Sequence, residues 1–458
     1  MNPVGSEMLR KAVHVSMGGF ALLLRYLTPG QALTCGAIAL GFNLLVLHRI
    51  TGRTLLRHNE RARGFSLGIA LYPAAVCVLI LVFHRRLELA AATWGLIAFG
   101  DGMASVFGTL VRGPKLPWNG GKTWAGFVAF VLWGTAASSF LIRWTQMGAL
   151  DGPKHWIGSS FLDDPTHLLV GCFTAALLAA FAESLPTGVD DNILVPLVGA
   201  AALYAGALVE PAQIAAHLPE IAHDAYIGAL INLALAIGAY AARGVDLSGA
   251  ISGWCLGVAL YAFGGWRGFS LLLLFFVLGT AATKIGWAKK ALLGIAQEKG
   301  GRRGAKNAFA NTTAGVIFAF LAVATPQHAV FTLALVAAFA TAASDTVSSE
   351  IGQAYGRTTY LVTNFKRVRP GTDGAVSLEG TTAGIGASTL LALFAAATGM
   401  IPWTGAGIVV VAAFIGTTLE SYLGATLERV KSIDNEVVNF ANTLAGGLAA
   451  MAIGALLK

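Results

Sequence analysis

The chain has 458 residues, of which 56% are hydrophobic and only 12% are charged, and its formal net charge is +8. Soluble globular proteins carry about 25% charged residues, so the composition argues against two or three soluble domains and for a membrane protein. The basic residues are spread over many short loops, which argues against nucleic-acid binding and fits contact with anionic lipid headgroups.

Apolar stretches of membrane-spanning length follow one another along the whole chain. They predict an all-α, polytopic integral membrane protein with about fifteen transmembrane helices in two related halves. A polar stretch from Glu210 to Ala225 separates the halves, which we assign as domains 1–212 and 213–458. The stretches are 15–29, 31–47, 66–83, 88–108, 123–142, 167–183, 193–209, 226–242, 247–263, 268–286, 308–324, 329–344, 380–400, 404–422 and 437–457.

The distribution of positive charge predicts the orientation of these spans. If the N-terminus is cytosolic and the spans alternate, most of the 31 Lys and Arg residues fall on the cytosolic side, as the positive-inside rule requires. We therefore predict a bacterial-type inner or plasma membrane protein whose N-terminus and active sites are cytosolic. The four cysteines stand alone in apolar runs without metal-ligand spacing, and we interpret them as packing residues.

A short acidic motif occurs once in each half. Asp101-Gly-Met-Ala-Ser-Val-Phe-Gly108 recurs as Asp345-Thr-Val-Ser-Ser-Glu-Ile-Gly352. A Gly- and Thr-rich stretch, a Glu-Ser pair and an Asp-Asn pair follow each copy, at 120–126, Glu183-Ser184 and Asp191-Asn192, and at 380–384, Glu420-Ser421 and Asp434-Asn435. The same order in both halves predicts two related sites.

The residue types in these motifs favour phosphoryl transfer. Carboxylates at membrane depth are costly and usually functional, and their hard oxygens suit Mg²⁺ held against phosphates. Glycine, serine and threonine near a lysine let backbone N–H groups approach phosphate oxygens. The sequence lacks a Walker motif, a zinc-peptidase motif and a nucleophile elbow, so a P-loop kinase, a zinc peptidase and a serine hydrolase are not expected.

The motifs of the first half, roughly 1–210, occur in a recognisable order. They are Glu7-x-x-Arg10-Lys11-x-x-His14, Arg63-Gly64-x3-Gly68-x3-Tyr72-Pro73, Gly100-Asp101-x-x-Ala104-x3-Gly108, Lys122-Thr123-Trp-Ala125-Gly126, and Glu183-Ser184-x-Pro186 with Asp190-Asp191-Asn192. In this order they resemble the integral-membrane phytol kinase and dolichol kinase family. The resemblance implies phosphorylation of a long-chain isoprenoid alcohol, with CTP as the typical donor and ATP as an alternative.

The first predicted site combines acidic and basic residues of this half. We assign Asp101, Asp190 and Asp191 to metal and nucleotide binding, with Asp101, Lys122 and Asp191 as the catalytic residues. Contacts with the nucleotide or its phosphates are assigned to Arg10, Lys11, His14, Arg63, Gly108 and Thr123.

The second half, roughly 225–458, carries a denser series of motifs. They are Gly249-x3-Gly253, Thr283-Lys284-x-Gly286, Gly301-Arg302-Arg303, Asn307-x3-Asn311, Ser344-Asp345-Thr346-x-x-Ser349-Glu350-x-Gly352, Gly371-Thr-x-Gly374-Ala375-Val376-Ser377, Gly380-Thr381, Glu420-Ser421 and Asn435-Glu436-x-x-Asn439-x-x-Asn442-Thr443. They resemble the membrane family that includes the plant phytyl-phosphate kinase. The resemblance implies addition of a second phosphate to an isoprenyl monophosphate.

The second predicted site contains more basic residues, as an anionic acceptor would require. We assign Asp345 and Glu420 as catalytic residues. The predicted metal ligands are Asp345, Glu350, Glu420, Asp434 and Glu436. The predicted nucleotide or substrate contacts are Lys284, Arg302, Arg303, Asn307, Asn311, Ser349, Lys366, Arg367, Thr381 and Asn439.

Together the halves predict a bifunctional, Mg²⁺-dependent enzyme that converts a prenol such as phytol to its monophosphate and then its diphosphate. Its partners would be isoprenoid alcohols and phosphates, a nucleotide and membrane lipids, with no nucleic acid. A cytidylyltransferase that makes a CDP-linked lipid stays open, because it shares the donor and the metal chemistry. A lipid or ion transporter also stays open, because transporters have repeats and intramembrane carboxylates.

Overall fold

The computed structural model describes residues 11–51, 67–111, 113–146, 159–292, 294–295, 304–428 and 434–457. In this part of the chain, twelve helices are long and apolar enough to cross a membrane, and Gly68–Val82 is a shorter apolar helix. The prediction of an all-α, polytopic integral membrane protein is confirmed. One of the twelve is a kinked helix that corresponds to two of the predicted spans, so the structure is consistent with about fifteen.

The chain divides into two compact units, Met1–Val209 and Glu210–Lys458. In the first unit, helix α1 comprises residues 11–25 and ends in the 3₁₀ segment Gly18–Arg25. The longer helices and the strands of this unit are α2 (Pro29–Leu47), α3 (Leu67–Val82), α4 (Leu87–Leu110), strands β1 (Lys115–Leu116) and β2 (Asn119–Thr123), α5 (Trp124–Gln146), α6 (Pro165–Ser184) and α7 (Asp191–Leu208). Two short helices, His48–Thr51 and Ser159–Asp163, complete the described part.

The second unit has the same alternation of long helices and one short hairpin. Its elements are α8 (Pro211–Ala241), α9 (Leu247–Lys284), α10 (Trp287–Leu292), α11 (Ala305–Ala324), α12 (His328–Tyr355), strands β3 (Thr359–Leu361) and β4 (Ala375–Ser377), α13 (Leu378–Ala397), α14 (Trp403–Thr426) and α15 (Asn435–Leu456). Both hairpins are antiparallel and two-stranded.

Two features of the second unit differ from the expected span boundaries. The polar stretch after Glu210 is helical and forms the first part of α8, with Pro211 at the first helical position, where proline is tolerated. Helix α9 covers two predicted spans and bends at Gly265, where φ is 60°. Only glycine adopts this left-handed conformation without strain, so the bend lies at a residue suited to it.

The two units share one local arrangement around the repeated motif. In the first, the motif Asp101–Gly108 lies in α4 and the hairpin follows. Thr123 Oγ1 accepts a hydrogen bond of 3.1 Å from Gly126 N at the start of α5. A Cβ on Gly126 would lie 2.7 Å from Ala104 O on α4. Glycine therefore permits close contact between these helices.

The second unit repeats this arrangement with different residues. Ser377 Oγ accepts a hydrogen bond of 3.1 Å from Gly380 N at the start of α13. A Cβ on Gly380 would lie 2.5 Å from Ser348 O on α12. Gly126 therefore corresponds to Gly380, and Thr123 corresponds to Ser377.

Helix α4 contains an irregularity that α12 lacks. Residues Leu96–Asp101 form a π-helical segment inside the span Leu87–Leu110, whereas α12 is α-helical throughout His328–Tyr355. Single π-helical turns within α-helices occur frequently at functional sites. Asp101 is the last residue of this segment.

Candidate functional site

Three carboxylates of the first unit meet, one from within α4, one from the end of α6 and one from the start of α7. Asp101 of α4, Glu183 of α6 and Asp191 of α7 each offer one oxygen, and these oxygens lie within 4.8 Å of one another. Asp101 is 4% exposed and Glu183 is 5% exposed. It is the only such group of three acidic, histidine or cysteine residues found among the described residues.

One oxygen of Asp101 is held by helix α1. Lys11 Nζ donates a hydrogen bond of 3.0 Å to Asp101 Oδ2, and His14 Nε2 lies 3.5 Å from the same oxygen. Asp101 Oδ1 is buried and has no hydrogen-bond partner among the described residues. Since an unsatisfied buried acceptor is costly, this oxygen is the natural contact for a ligand.

The π-helical segment also contributes to the position of His14. His14 Nε2 donates a hydrogen bond of 3.0 Å to Ile97 O within that segment. The imidazole ring packs edge-on against the Tyr72 ring, with a centroid distance of 4.5 Å. Trp94 Nε1 in turn donates a hydrogen bond of 2.8 Å to Tyr72 Oη. Helices α1, α3 and α4 are thereby joined beside Asp101.

Lys122 connects the other two carboxylates. It projects from β2, forms an ion pair with Glu183 and lies with Nζ 3.6 Å from Asp191 Oδ2. Burial by itself lowers the pKa of the Lys122 ammonium, but the nearby carboxylates of Glu183 and Asp191 outweigh burial and raise the pKa above its ordinary value. Lys122 therefore remains positively charged at neutral pH.

An apolar cavity of about 600 Å³ leads to this cluster. Helices α1, α2 and α3 supply most of its wall. Its polar end contains Lys11, His14, Asp101, Asp190, Asp191 and Asn192, and its remaining lining is mostly aliphatic and aromatic. Pockets of 300–1,000 Å³ typically hold small ligands, and this one combines an apolar channel with an acidic end.

Other predicted residues of the first site have local structural contacts. Asp190 caps α7, because its Oδ1 accepts a hydrogen bond of 2.9 Å from Asn192 N. Thr123 makes the contact with Gly126 described above, and Gly108 packs beside Thr123. Arg10 and Arg63 lie outside the described residues. The structure thus brings together Lys11, His14, Asp101, Lys122 and Asp191.

The second unit contains a polar cavity of about 630 Å³. Six acidic side chains and one basic side chain, Lys306, are among the described residues that line it. The predicted site residues in its wall are Asn307, Asn311, Asp345, Ser349, Glu350, Thr381, Glu420, Glu436 and Asn439. Most of the second predicted site therefore shares one cavity.

Several residues predicted for the second site lie elsewhere. Lys284, Lys366, Arg367 and Asp434 are exposed and do not line this cavity. Arg302 and Arg303 lie outside the described residues. The basic loop residues were assigned because a charged acceptor needs cations, but the positive-inside rule places such residues in loops whether or not they bind a ligand.

Glu350 has a buried partner that the sequence analysis missed. Lys290 of α10, 1% exposed, forms an ion pair with Glu350, which is 3% exposed. Thr283 Oγ1 donates a hydrogen bond of 3.1 Å to Glu350 Oε1, and Lys290 Nζ donates one of 2.9 Å to Thr283 O. Both Glu350 oxygens therefore have protein partners, which is unlike Asp101.

Glu183 was also absent from the predicted site residues of the first half. The available signal was its repeat partner, because Glu183-Ser184 matches Glu420-Ser421, and Glu420 was assigned a role. For Lys290 the signal was weak, since Lys289-Lys290 resembles any basic loop between spans.

The three-carboxylate cluster has the chemistry of a site for a hard divalent cation. Mg²⁺ prefers oxygen ligands and is usually held by one or two carboxylates together with substrate phosphates. The buried oxygen of Asp101 and the neighbouring oxygens of Glu183 and Asp191 fit this requirement.

Comparison with known proteins shows that this chain is similar to other membrane proteins. Residues 230–447 match the family described as integral membrane protein DUF92. An uncharacterised membrane protein of Synechocystis is 43% identical over 204 residues, which cover 44% of this chain and 78% of that protein. Protein VTE6, chloroplastic, of Arabidopsis thaliana is 41% identical over 215 residues, 45% of this chain and 65% of that protein.

Proteins named phytol kinase and farnesol kinase are also homologous to the chain. Probable phytol kinase 3, chloroplastic, of Glycine max is 29% identical over 206 residues, 42% of this chain and 60% of that protein. The chain thus spans less than two thirds of the length of this relative and of VTE6. No solved structure gives a significant match.

Proposed function

The chain belongs to the DUF92 integral membrane family, and we propose that it is a kinase that phosphorylates the hydroxyl group of an isoprenoid alcohol. The observation that carries this proposal is the apolar cavity of the first unit, which ends at Asp101 and Asp191 of the three-carboxylate cluster. A long apolar chain with a terminal hydroxyl matches both parts of this cavity. The homologues named phytol kinase and farnesol kinase support the same substrate class.

Asp101 is suited to orient the acceptor hydroxyl. Lys11 and His14 hold Oδ2, so Oδ1 is left to accept the hydrogen bond of the alcohol and then its proton. The alcohol oxygen attacks the γ-phosphorus of a nucleoside triphosphate, and the bond from this phosphorus to the β-phosphate oxygen breaks. The products are the prenyl monophosphate, the nucleoside diphosphate and one proton.

Lys122 is suited to stabilise charge during this transfer. Phosphoryl transfer depends mainly on positioning and on neutralising negative charge. Because the pKa of Lys122 is raised by Glu183 and Asp191, its ammonium stays protonated through neutral pH. Mg²⁺, which Glu183 and Asp191 would hold, would further neutralise the donor phosphates. The proposed donor is CTP.

The second unit is proposed to add the second phosphate. Its polar cavity contains Asp345, Glu420 and a row of asparagines, and it suits phosphate groups and a cation better than a long apolar chain. A monophosphate made by the same chain remains in the membrane, which raises its effective concentration for a second step. The product would be a prenyl diphosphate.

The test uses purified full-length protein in detergent or nanodiscs with farnesol, phytol or geranylgeraniol. Each alcohol is incubated with Mg²⁺ and labelled CTP or ATP, and lipid and nucleotide products are separated. We expect prenyl monophosphate and diphosphate together with a nucleoside diphosphate. Release of pyrophosphate with a CDP-linked lipid would replace the proposal by a cytidylyltransferase, and absence of phosphorylated lipid would refute it.

A further inference from the structure

The apolar cavity has a closed end opposite the carboxylates. Its lining there includes Leu24 of α1, Ala32 of α2 and Ile80 of α3. These side chains are 4%, 3% and 2% exposed, respectively. These three side chains therefore close the end within the protein, while Leu23, which also lines the cavity, is 46% exposed.

The pairing of α2 and α3 places Ala32 close to Ile80. Asn43 Nδ2 donates a hydrogen bond of 3.0 Å to Ile69 O, and a Cβ on Gly36 would lie 2.7 Å from Cys77 Sγ. These two contacts show that the helices run antiparallel and in step. The same register brings Ala32 to the level of Ile80.

The helix rise gives the depth of the cavity. Gly68 lies beside Asp190 and Asn192 at the polar end, and from Gly68 to Ile80 helix α3 rises about 18 Å at about 1.5 Å per residue. From Tyr72, which packs on His14, the remaining rise is about 12 Å. Carbon–carbon bonds of about 1.5 Å advance an extended chain by about 1.3 Å each, so the depth holds about 9 to 14 main-chain carbons.

One side of the cavity is open along its length. Phe20, Ile38 and Phe42 line it and are 53%, 67% and 43% exposed. In a membrane these side chains face lipid, so an acceptor can enter sideways between α1 and α2. Because the acceptor enters at the side, its hydroxyl can lie at the carboxylates while its apolar chain extends towards Ala32. The distance from the carboxylates to Ala32 then limits the length of chain that the cavity holds.

We propose that Ala32 and Ile80, with Leu24, determine the chain length of the acceptor. This inference rests on the proposed function and specifies its substrate as prenols of two to three isoprene units. A longer polyprenol cannot lie fully within the cavity, because these buried side chains block its distal part. Filling the end should favour shorter alcohols, and emptying it should favour longer ones.

The experiment compares two cavity variants with two matched controls. Ala32→Phe fills the closed end and Ile80→Ala empties it. Ala37→Phe makes the same change at an exposed position of α2 outside the cavity, and Leu81→Ala removes a 55% exposed side chain of α3. Each protein is assayed with geraniol, farnesol, geranylgeraniol and a long polyprenol, both for phosphorylation and for displacement of a fluorescent farnesol analogue.

For Ala32→Phe we expect the ratio of kcat/KM for geranylgeraniol to that for geraniol to fall at least about tenfold. Ile80→Ala should shift this ratio in the opposite direction, and both controls should keep the wild-type profile. If the variants and the wild-type protein show the same dependence on the chain length of the alcohol, in phosphorylation or in displacement, the length assignment is wrong. Length-dependent displacement without any phosphorylation would support the assignment while refuting the proposed kinase activity.

Discussion

The two units use a lysine in different ways on the same local scaffold. In the first, Lys122 precedes the capping residue Thr123, and its side chain is 35% exposed between Glu183 and Asp191. The corresponding residue before Ser377 in the second unit is Val376. There the lysine is Lys290, which is nearly inaccessible and neutralises Glu350. A partly exposed cation can meet a ligand, whereas a fully buried one mainly stabilises its partner.

The cavities of the two units also differ, in the polarity of their walls. The first has an apolar channel that ends at carboxylates, and the second is polar over most of its wall. Both units therefore have the same order of elements: a long helix, a hairpin, a capped helix and then acidic residues at helix ends. On this common order they form two different binding surfaces. In the proposed function, the first cavity takes the lipid chain and the second takes phosphate groups and a cation.

The largest expected effect separates the two sites. Asp101→Asn should lower prenyl monophosphate formation by about 100- to 1,000-fold, because the buried acceptor at the end of the cavity loses its charge. Conversion of supplied monophosphate to diphosphate should persist. Lipid product analysis checks both steps.

The reciprocal variant is the control. Asp345→Asn should let the protein consume prenol but stop at the monophosphate. If either variant stops both steps equally in folded protein, the assignment of one step to each unit is wrong.

The next prediction compares the two lysines. Lys290→Met leaves the Glu350 carboxylate buried without its cation, and such a change typically lowers the free energy of unfolding by about 3–5 kcal/mol. Lys122→Met also leaves a buried carboxylate, Glu183, without its cation, but it should cost less stability, because the Lys122 side chain is 35% exposed and that of Lys290 only 1%. It should lower monophosphate formation by about 100-fold. Thermal unfolding in detergent and initial rates measure the two effects.

A double variant identifies the role of Lys290. Combining Lys290→Met with Glu350→Leu removes the unpaired charge and should recover most of the lost stability. Stability that stays as low as in the single variant would show that the ion pair is not the cause.

Helix contacts at the hairpins should give equal effects in the two units. Gly126→Ala and Gly380→Ala each push a methyl group against a backbone carbonyl of the neighbouring helix, which should cost about 1–3 kcal/mol. Gly386→Ala on α13 is the matched control, because a Cβ there meets nothing within 4 Å. A clear loss for Gly126→Ala without one for Gly380→Ala would contradict the structural correspondence.

The smallest effect distinguishes adjacent acidic residues. Asp190→Ala removes the cap of α7 and should lower stability by about 1 kcal/mol, with a modest effect on rate. Asp191→Asn should leave stability nearly unchanged and lower the rate of the first step. Equal loss of rate in both variants would support the predicted role of Asp190 in metal binding.

The sequence predicts the spans well because apolar length is a local property. Asp101 and Asp191 could also be selected from the sequence, since acidic residues at span ends are rare and these recur. Asp190 could not be separated from Asp191, because capping depends on the backbone at the start of α7. Glu183 lacked a basic neighbour in sequence, and only the fold brings Lys122 to it.

Longer-range features were beyond the sequence. The Gly- and Thr-rich stretches suggested that 120–126 matches 380–384, but the helix contacts match Gly126 with Gly380. The apolar cavity depends on the register of three helices, which no motif records. Lys284, Lys366 and Arg367 were selected by charge alone, and charge does not distinguish a loop that faces water from one that faces a ligand.

The π-helical segment before Asp101 gives α4 a way to lose one residue without redirecting this carboxylate. A widened turn accommodates one residue more than an α-helical turn, so deleting a residue between Leu96 and Gly100 can convert the segment to regular α-helix and leave both flanks in register. In an uninterrupted α-helix the same deletion rotates one flank by about 100° relative to the other. Because α12 is uninterrupted before Asp345, deletions before Asp101 and before Asp345 should be tolerated differently as these proteins diverge.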